Sequence, residues 1–393
     1  MKGWISRFKA VMALTVLALI LSGCGEPFLS TLQPSGEGAA KLLELIILSF
    51  VIMLFVFVVV MLIYIYVVIK FRQKKGQEDF IPKQVEGSHA LETLWTVIPI
   101  ILLLILAVPT IQYTFAFEDM SPEVNEEGEE MDQIWIDVTG KQYWWHFEYE
   151  DLDITTSQEL YIPTDRRVNL SMISDDVIHS FWVPAIQGKM DVNPTGNRNE
   201  MFLQAEEEGV YWGKCAELCG PSHSLMDFKV IAVSPGEFEE WVEDMQGVTG
   251  EEEPETDTAL AGQESFEENC LSCHAIGSSP NKVGPNLTNF ADRDKLAGVF
   301  DMTEENLYEW IDTKGEEMKP GNLMVSAPYD LEEEEINNII EYLMTLSPSE
   351  VTPESADNGV YIDSDLSDLF PEEEEGEDEE ESDEVEEDED EEE

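Results

Sequence analysis

The chain has 393 residues, with 84 Asp or Glu against 21 Lys or Arg and a formal net charge of −63. That balance excludes a nucleic-acid binder, because phosphate backbones need a basic partner surface. Two or three domains are expected at this length, and a hydrophobic content of 43% excludes a wholly disordered acidic chain, so apolar and acidic residues must be segregated along it.

Lys2, Arg7 and Lys9 precede an apolar run from Ala10 to Leu21. The run is too short to span about 30 Å of hydrocarbon and has the length of a signal-peptide core. It ends in Leu21-Ser22-Gly23-Cys24, which resembles a bacterial lipoprotein cleavage site. Residues 1–23 are then a lipoprotein signal peptide, Cys24 is the lipidated N-terminus, and 24–41 is the start of the mature chain. An ordinary signal peptide with a chance Cys is the alternative.

Residues 42–69 are almost unbroken Leu, Ile, Val, Phe and Met, enough helix to cross a bilayer with some tilt. A second span is expected over 94–117; it contains Pro99 and Pro109, which membrane helices tolerate. Lys70, Arg72, Lys74, Lys75 and Lys83 lie in the loop 70–93 between them, which places that loop in the cytoplasm and both mature ends outside. Glu92 sits at the cytoplasmic start of the second span. A carboxylate there is either solvated at the interface or functional.

Residues 118–132 read as an acidic linker. From 133 to 246 come short β-like runs (IWIDVTG, YWWHFEYE, RVNLSMIS, MFLQA, FKVIAVS) separated by turns, the pattern of a β-sandwich or barrel. A second acidic linker, 247–259, leads to a helical pattern over 260–347: AGQESFEENC, MTEENLYEWIDT and LEEEEINNIIEYLMTL. Residues 348–393 form an acidic tail; positions 371–393 hold 19 Asp or Glu and no Lys or Arg, a block that repels itself and stays disordered. The acid excess extends beyond this tail to the outer domains, which suits a saline or alkaline habitat.

The scarce Cys and His, five of each, fall mostly in short motifs. Cys215-Ala216-Glu217-Leu218-Cys219-Gly220-Pro221-Ser222-His223-Ser224-Leu225-Met226 places two thiols, an imidazole and a thioether within one loop. Soft sulfur with imidazole suits copper. Two bridging thiolates can hold two copper ions close together, and sharing one electron between them keeps ligand rearrangement on reduction small. A distant His completes such a site, and His179 is available in Val177-Ile178-His179-Ser180-Phe181-Trp182-Val183-Pro184. A Cys215–Cys219 disulfide and a tetrahedral zinc site are the competing readings; neither explains Met226 or His179.

The helical hairpin, the β region and the strings DVIHSFWVP and CAELCGPSHSLM resemble subunit II of haem–copper cytochrome c oxidases, whose outer domain is a cupredoxin with a dinuclear Cu-A centre. The resemblance implies His179, Cys215, Cys219, His223 and Met226 as side-chain ligands and Glu217 as a ligand through its carbonyl. It also implies a Mg²⁺ shared with subunit I at the Glu217 side chain, to which a hard carboxylate oxygen is suited. Glu92, in Glu-Thr-Leu-Trp-Thr-Val-Ile-Pro, matches the family position at the mouth of the K proton channel. Gly140-Lys141-Gln142-Tyr143-Trp144-Trp145 resembles the family's aromatic electron-input segment, implicating Tyr143 and Trp144; core packing is the other reading.

Cys270-Leu271-Ser272-Cys273-His274 is the C-x-x-C-H pattern of covalent c-type haem attachment, with His274 as one axial ligand; a redox dithiol is the alternative. The sixth ligand should be a downstream Met. Met324, in Lys319-Pro320-Gly321-Asn322-Leu323-Met324, resembles the ligand loop of small bacterial cytochromes c, and Met318 is the runner-up. The fold expected is therefore a multidomain membrane protein with a two-helix hairpin, an all-β cupredoxin-like domain, an all-α cytochrome c domain and a disordered acidic tail.

An oxidase subunit II fused to cytochrome c is the pattern of caa-type oxidases. The resemblance implies an electron-input subunit of a proton-pumping terminal oxidase, passing electrons from haem c through Cu-A to haem a of subunit I, where O2 is reduced. This chain would hold no O2 site. Its partners would be subunit I and other oxidase subunits, membrane lipid, and an upstream cytochrome c or quinol–cytochrome c reductase complex, in the cell membrane of a Gram-positive bacterium. A membrane-tethered carrier serving several acceptors, and the equivalent subunit of a copper-containing nitric oxide reductase, are the alternatives. A quinol oxidase subunit is disfavoured by the copper ligands.

Overall fold

The computed structural model describes residues 28–73, 76, 81, 83–124, 128–278 and 283–356, with isolated positions between 9 and 15. Cys24, most of the expected signal peptide and residues 357–393 lie outside the described residues.

Two long apolar helices come first, α1 (Glu37–Lys70) and α2 (His89–Phe117), with mean hydropathies of 3.4 and 2.6 over their most apolar windows. Each extends about one turn N-terminal to the stretch read from hydropathy, because Glu37 and Glu92 are favourable in a first turn. The Tyr113 hydroxyl donates to Glu44, tying the start of α1 to the end of α2. The first helix starts directly on the β domain. Ser35 N–H donates to Ala185 O at 2.7 Å, Ala39 N–H to Ile186 O at 3.0 Å, and the Arg167 guanidinium pairs with Glu37 at 2.9 Å.

The β domain is a sandwich of two five-stranded sheets. One has the order β3 (Ile154–Ser157), β2 (Trp144–Tyr149), β1 (Ile134–Lys141), β5 (Val168–Ser174), β8 (Asn199–Leu203). The other runs β4 (Glu159–Pro163), β10 (Asp227–Val233), β9 (Gly209–Cys215), β6 (His179–Trp182), β7 (Met190–Val192). The β1–β5 and β4–β10 pairs are parallel and the rest antiparallel. Trp145, Phe181 and Phe228 fill the space between the sheets with centroids 4.5–5.4 Å apart. Gly213 is required there, since a Cβ would lie 2.2 Å from the Phe228 ring. Helix α3 (Pro235–Gly247), opened by a capping box from Ser234 and Glu237, stacks Trp241 on Tyr161 at 4.6 Å and closes one end.

The third unit packs α4 (Asp257–Asn269) across α6 (Glu333–Leu343), with α5 (Glu304–Asp312) alongside and the short pair β11 (Lys295–Leu296) and β12 (Phe300–Asp301). Thr256 and Thr303 cap α4 and α5 with their hydroxyls. The α4–α6 crossing is tight: a Cβ on Gly262 would lie 1.9 Å from the Asn338 carbonyl oxygen. Gly262→Ala is expected to cost about 1–3 kcal/mol of stability in this unit, because the clashing atom is backbone and cannot swing away. A lower thermal midpoint of the haem-loaded chain checks it.

The first residues of the segment expected as an acidic tail, 349–356, pack on the rest of the chain. Ser349 donates to Asp244 at 2.8 Å, Val351 is buried in the core of the β domain, and a short turn of helix, α7 (Pro353–Ala356), follows. An apolar Val next to a turn-forming Pro and Thr supplies what the acidic composition obscured. The helical unit is thereby fastened to the β domain at both of its ends.

Between the two units lies a polar interface. Asn286 N–H donates to Ser157 Oγ at 2.9 Å, Gln158 Nε2 to Ala297 O at 3.1 Å, and Lys229 pairs with Asp294. Glu159 is fully buried beside Lys229, Arg293, Asp294 and Asp292, and burial pushes its carboxyl up to about 8. The folded chain then holds a proton that the unfolded chain releases near 4.5, so this group's contribution to stability falls as pH rises between about 4.5 and 8. Glu159→Gln should flatten the stability curve over that window and gain on the order of 1–3 kcal/mol above it, measured by denaturant unfolding on both sides of the window.

Candidate copper and haem sites

Register fixes the first site. The antiparallel pair β9–β10 ends with Asp227 opposite Lys214, and Cys215 N–H donates to Met226 O at 3.2 Å, so residues 215–226 close into one loop at the end of the sandwich. Strand β6 pairs with β9 through Phe181↔Cys215, which carries His179 to the same end. The Cys215 and Cys219 sulfurs are 3.9 Å apart, beyond any disulfide bond. His179 Nδ1 is 3.8 Å from Cys215 Sγ, His223 Nδ1 is 3.6 Å from Cys219 Sγ, and Met226 Sδ is 3.8 Å from Cys219 Sγ. Glu217 O lies 3.3 Å from Cys215 Sγ. His179, Cys215 and Cys219 bring their donor atoms within 4.8 Å of one another, all buried. All six residues singled out from sequence for this site therefore meet around one small volume.

The two thiols share an ionisation. The Cys219 thiol and the facing His179 lower the Cys215 pKa, and Cys219 is raised in turn by its neighbour and by burial. One thiolate forms readily and the second needs a further positive charge, which fits a cationic metal centre.

Sequence reading missed Asp176. Its carboxylate lies 2.7 Å from His179 Nε2 and accepts from Gln142 N at 2.6 Å. It fixes the ring so that Nδ1 faces the sulfurs, the outer-shell carboxylate role common at metal-bound imidazoles. The available signal was an acidic residue three before the His. Trp145, buried beneath, approaches the His179 ring edge-on at 6.0 Å, and a Cβ on Gly140 would press on the same ring. Tyr143 and Trp144 are only 3% and 8% exposed. The Gln142 amide donates to Cys219 O at 2.5 Å.

At the second site, Cys270 and Cys273 follow α4 as free thiols, and His274 N–H donates to Cys270 O at 2.9 Å. His274 Nδ1 lies 2.9 Å from the Pro285 carbonyl and donates to it, leaving Nε2 to serve as an axial ligand. A Cβ on Gly284 would lie 2.9 Å from the imidazole, so only glycine lets the Pro285 segment reach it. Burial lowers the His274 pKa and keeps the ring neutral, the ligating form. Met324 lies on a single 3-10 turn, Leu323–Ser326, whose start is fixed by Asn322; the Asn322 oxygen accepts from Met324 N at 2.8 Å and its amide donates to the carbonyls of Lys314, Gly315 and Lys319. Met318 and Met324 are both half-buried. Two unbonded thiols beside an imidazole with a fixed tautomer fit covalent haem.

The side chains of Glu92 and Glu217 stay apart from both clusters. Glu92 lies on the first turn of α2, half-exposed, 3.3 Å from the exposed His89. The Glu217 side chain is exposed beside Leu218, itself exposed.

Residues 29–113 match the family Cytochrome C oxidase subunit II, transmembrane domain; 152–233 match its periplasmic domain; and 259–347 match Cytochrome c. The chain is 48% identical over 343 residues to cytochrome c oxidase subunit 2 of Bacillus sp. (strain PS3), covering 84% of this chain and 95% of that one. It belongs to the cytochrome c oxidase subunit II family. It is 46% identical over 354 residues to the subunit 2 of Alkalihalophilus pseudofirmus, covering 89% of this chain and all of the other, and 44% identical over 356 residues to that of Bacillus subtilis (strain 168), covering 87% and 98%. Like these relatives it is a subunit of an oxidoreductase complex, a membrane protein that associates with other oxidase subunits such as subunit I. Its subunit II and cytochrome c domains support copper and haem c as cofactors.

Asp176→Ala should weaken copper binding about 10- to 100-fold by freeing the His179 ring. Competition titration of the isolated complex against a chelator of known affinity measures it, with haem c attachment unaffected.

Proposed function

We propose that this chain is the electron-input subunit of a haem–copper oxidase, relaying electrons from its own covalent haem c to a dinuclear copper centre and on to subunit I for reduction of O2 coupled to proton pumping. The observation that carries the reading is the pair of thiols 3.9 Å apart with His179, His223, Met226 and the Glu217 carbonyl around them. Copper bound by Cys215, Cys219, His179, His223, Met226 and the Glu217 carbonyl would supply one-electron chemistry. The chain's part is to hold those ligands still. Trp145 and the β6–β9 pairing support His179 from below, and Asp176 keeps its tautomer.

Cys270 and Cys273 would form the haem thioethers, with His274 and Met324 as axial ligands. Met324 is preferred over Met318 because the Asn322 cap holds its turn. Tyr143 and Trp144 are buried, and Tyr143 lies beside Gly321 of the fused unit, which favours that unit over an external protein as the donor at Tyr143. Glu217, exposed beside the copper loop, is suited to a Mg²⁺ shared with subunit I, and Glu92 to proton uptake at the cytoplasmic end of α2. The basic loop between the helices faces the cytoplasm, both large domains face outward, and Cys24 anchors lipid. The upstream donor would be a soluble cytochrome c or a quinol–cytochrome c reductase complex.

Purification of the membrane complex, haem typing and O2 consumption test the reading. In that complex Cys219→Ser should abolish the mixed-valence copper signal and O2 consumption driven through haem c, while haem c remains reducible by small donors. Full turnover in that variant would overturn the dinuclear assignment.

A further inference from the structure

The loop that carries the copper ligands and the segment that carries Met324 touch. Ser222 is completely buried, and its hydroxyl donates to the Pro320 carbonyl at 2.7 Å. On one side Ser222 is covalently next to His223, whose Nδ1 faces the Cys219 sulfur at 3.6 Å. On the other side Pro320 stands between Lys319, buried with its ammonium donating to Ala297 O at 2.8 Å, and Gly321 and Asn322, which lead into the Met324 turn. The Tyr143 hydroxyl sits over the same spot, beside Gly321. Gly321, at φ +80°, admits this approach; a Cβ there would touch the Tyr143 hydroxyl at 3.4 Å.

Electronic coupling decays far less steeply along covalent and hydrogen bonds than across a gap. Ser222 closes the gap between the two units with one short hydrogen bond. Resting on the function proposed above, we propose that Ser222 is a positioning residue for electron transfer within the chain: its bond to the Pro320 carbonyl seats the Met324 segment on the copper-ligand loop and completes a bonded bridge between them. With haem held by Cys270, Cys273, His274 and Met324 and copper by the 215–226 loop and His179, the bridge would carry one electron from the first group to the second. No protein bond is broken, and the Ser222 hydroxyl keeps its proton.

The test uses the full chain in its complex. In the copper-free, haem-loaded protein, Ser222→Ala should raise amide hydrogen exchange severalfold across residues 319–326 and leave exchange in α4 and α6 unchanged. In the holo-complex the same variant should slow reoxidation of photoreduced haem c by copper severalfold, with both reduction potentials and the copper spectrum as in the unmodified chain. Gly321→Ala, which leaves the copper loop's sequence intact and strains the segment at its φ of +80°, should do the same. Unmodified exchange and transfer rates in Ser222→Ala overturn the proposal, as does a copper spectrum that changes in step with the rate, which would assign Ser222 to the ligand loop alone. Failure of the unmodified chain to pass any electron from haem c to copper would overturn the proposed function with it.

Discussion

Two sulfur atoms that face each other 3.9 Å apart inside a protein are an unstable arrangement on their own. Ionising both thiols stacks like charge in a poorly solvated place, and the opposed pKa shifts of Cys215 and Cys219 express that conflict. The fold nevertheless leaves them no room to part. The 215–226 loop is closed by the β9–β10 register and the Cys215–Met226 backbone bond, its floor is the Trp145–Phe181–Phe228 aromatic packing, and the Gln142 amide pins the Cys219 carbonyl. A site held this way gives up stability unless cations fill it, so the sandwich is organised around a charge it does not itself carry.

How much of this was legible follows from how local each feature is. Metal ligands and haem attachment need particular atoms at short fixed spacing, so CAELCGPSHSLM and CLSCH stood out from sequence. The three helices of the cytochrome unit were legible because their apolar faces recur at helical period. The strands were half legible. β1, β2, β5, β8 and β10 gave apolar runs, whereas β4, β6 and β7 are only three to five residues long and are stabilised by neighbours distant in sequence.

What stayed hidden depends on pairings across the fold. Its place three residues before His179 is a weak local mark in so acidic a chain; the meaning of Asp176 comes from the ring of His179 that it bonds. Ser222 reads as a turn residue between Pro221 and His223 until Pro320 is brought over it. Val351 lies within a segment whose composition says disorder, and only its burial against the β domain reveals that the chain returns there.

The charge distribution carries the argument further. With only 21 Lys and Arg against 84 acids, cations are scarce, and three of them, Lys229, Arg293 and Lys319, are buried at or beside the junction of the β domain and the cytochrome unit. Each faces acid: Asp294 and Glu159 at Lys229, Glu159 at Arg293, Asp227 at Lys319. A surface with this acid excess would repel a second acidic body, and salt would screen that repulsion over about 8 Å at physiological ionic strength. Buried pairs are screened much less. The helical unit is therefore seated largely by buried polar contacts and the Lys229–Asp294 pair, which salt reaches less than the open surface, while the exterior remains acidic and free to change with its medium. The contact between Ser222 and Pro320 and the electrostatics of the surface are thus separated by burial, so the acid excess can vary without loosening that contact.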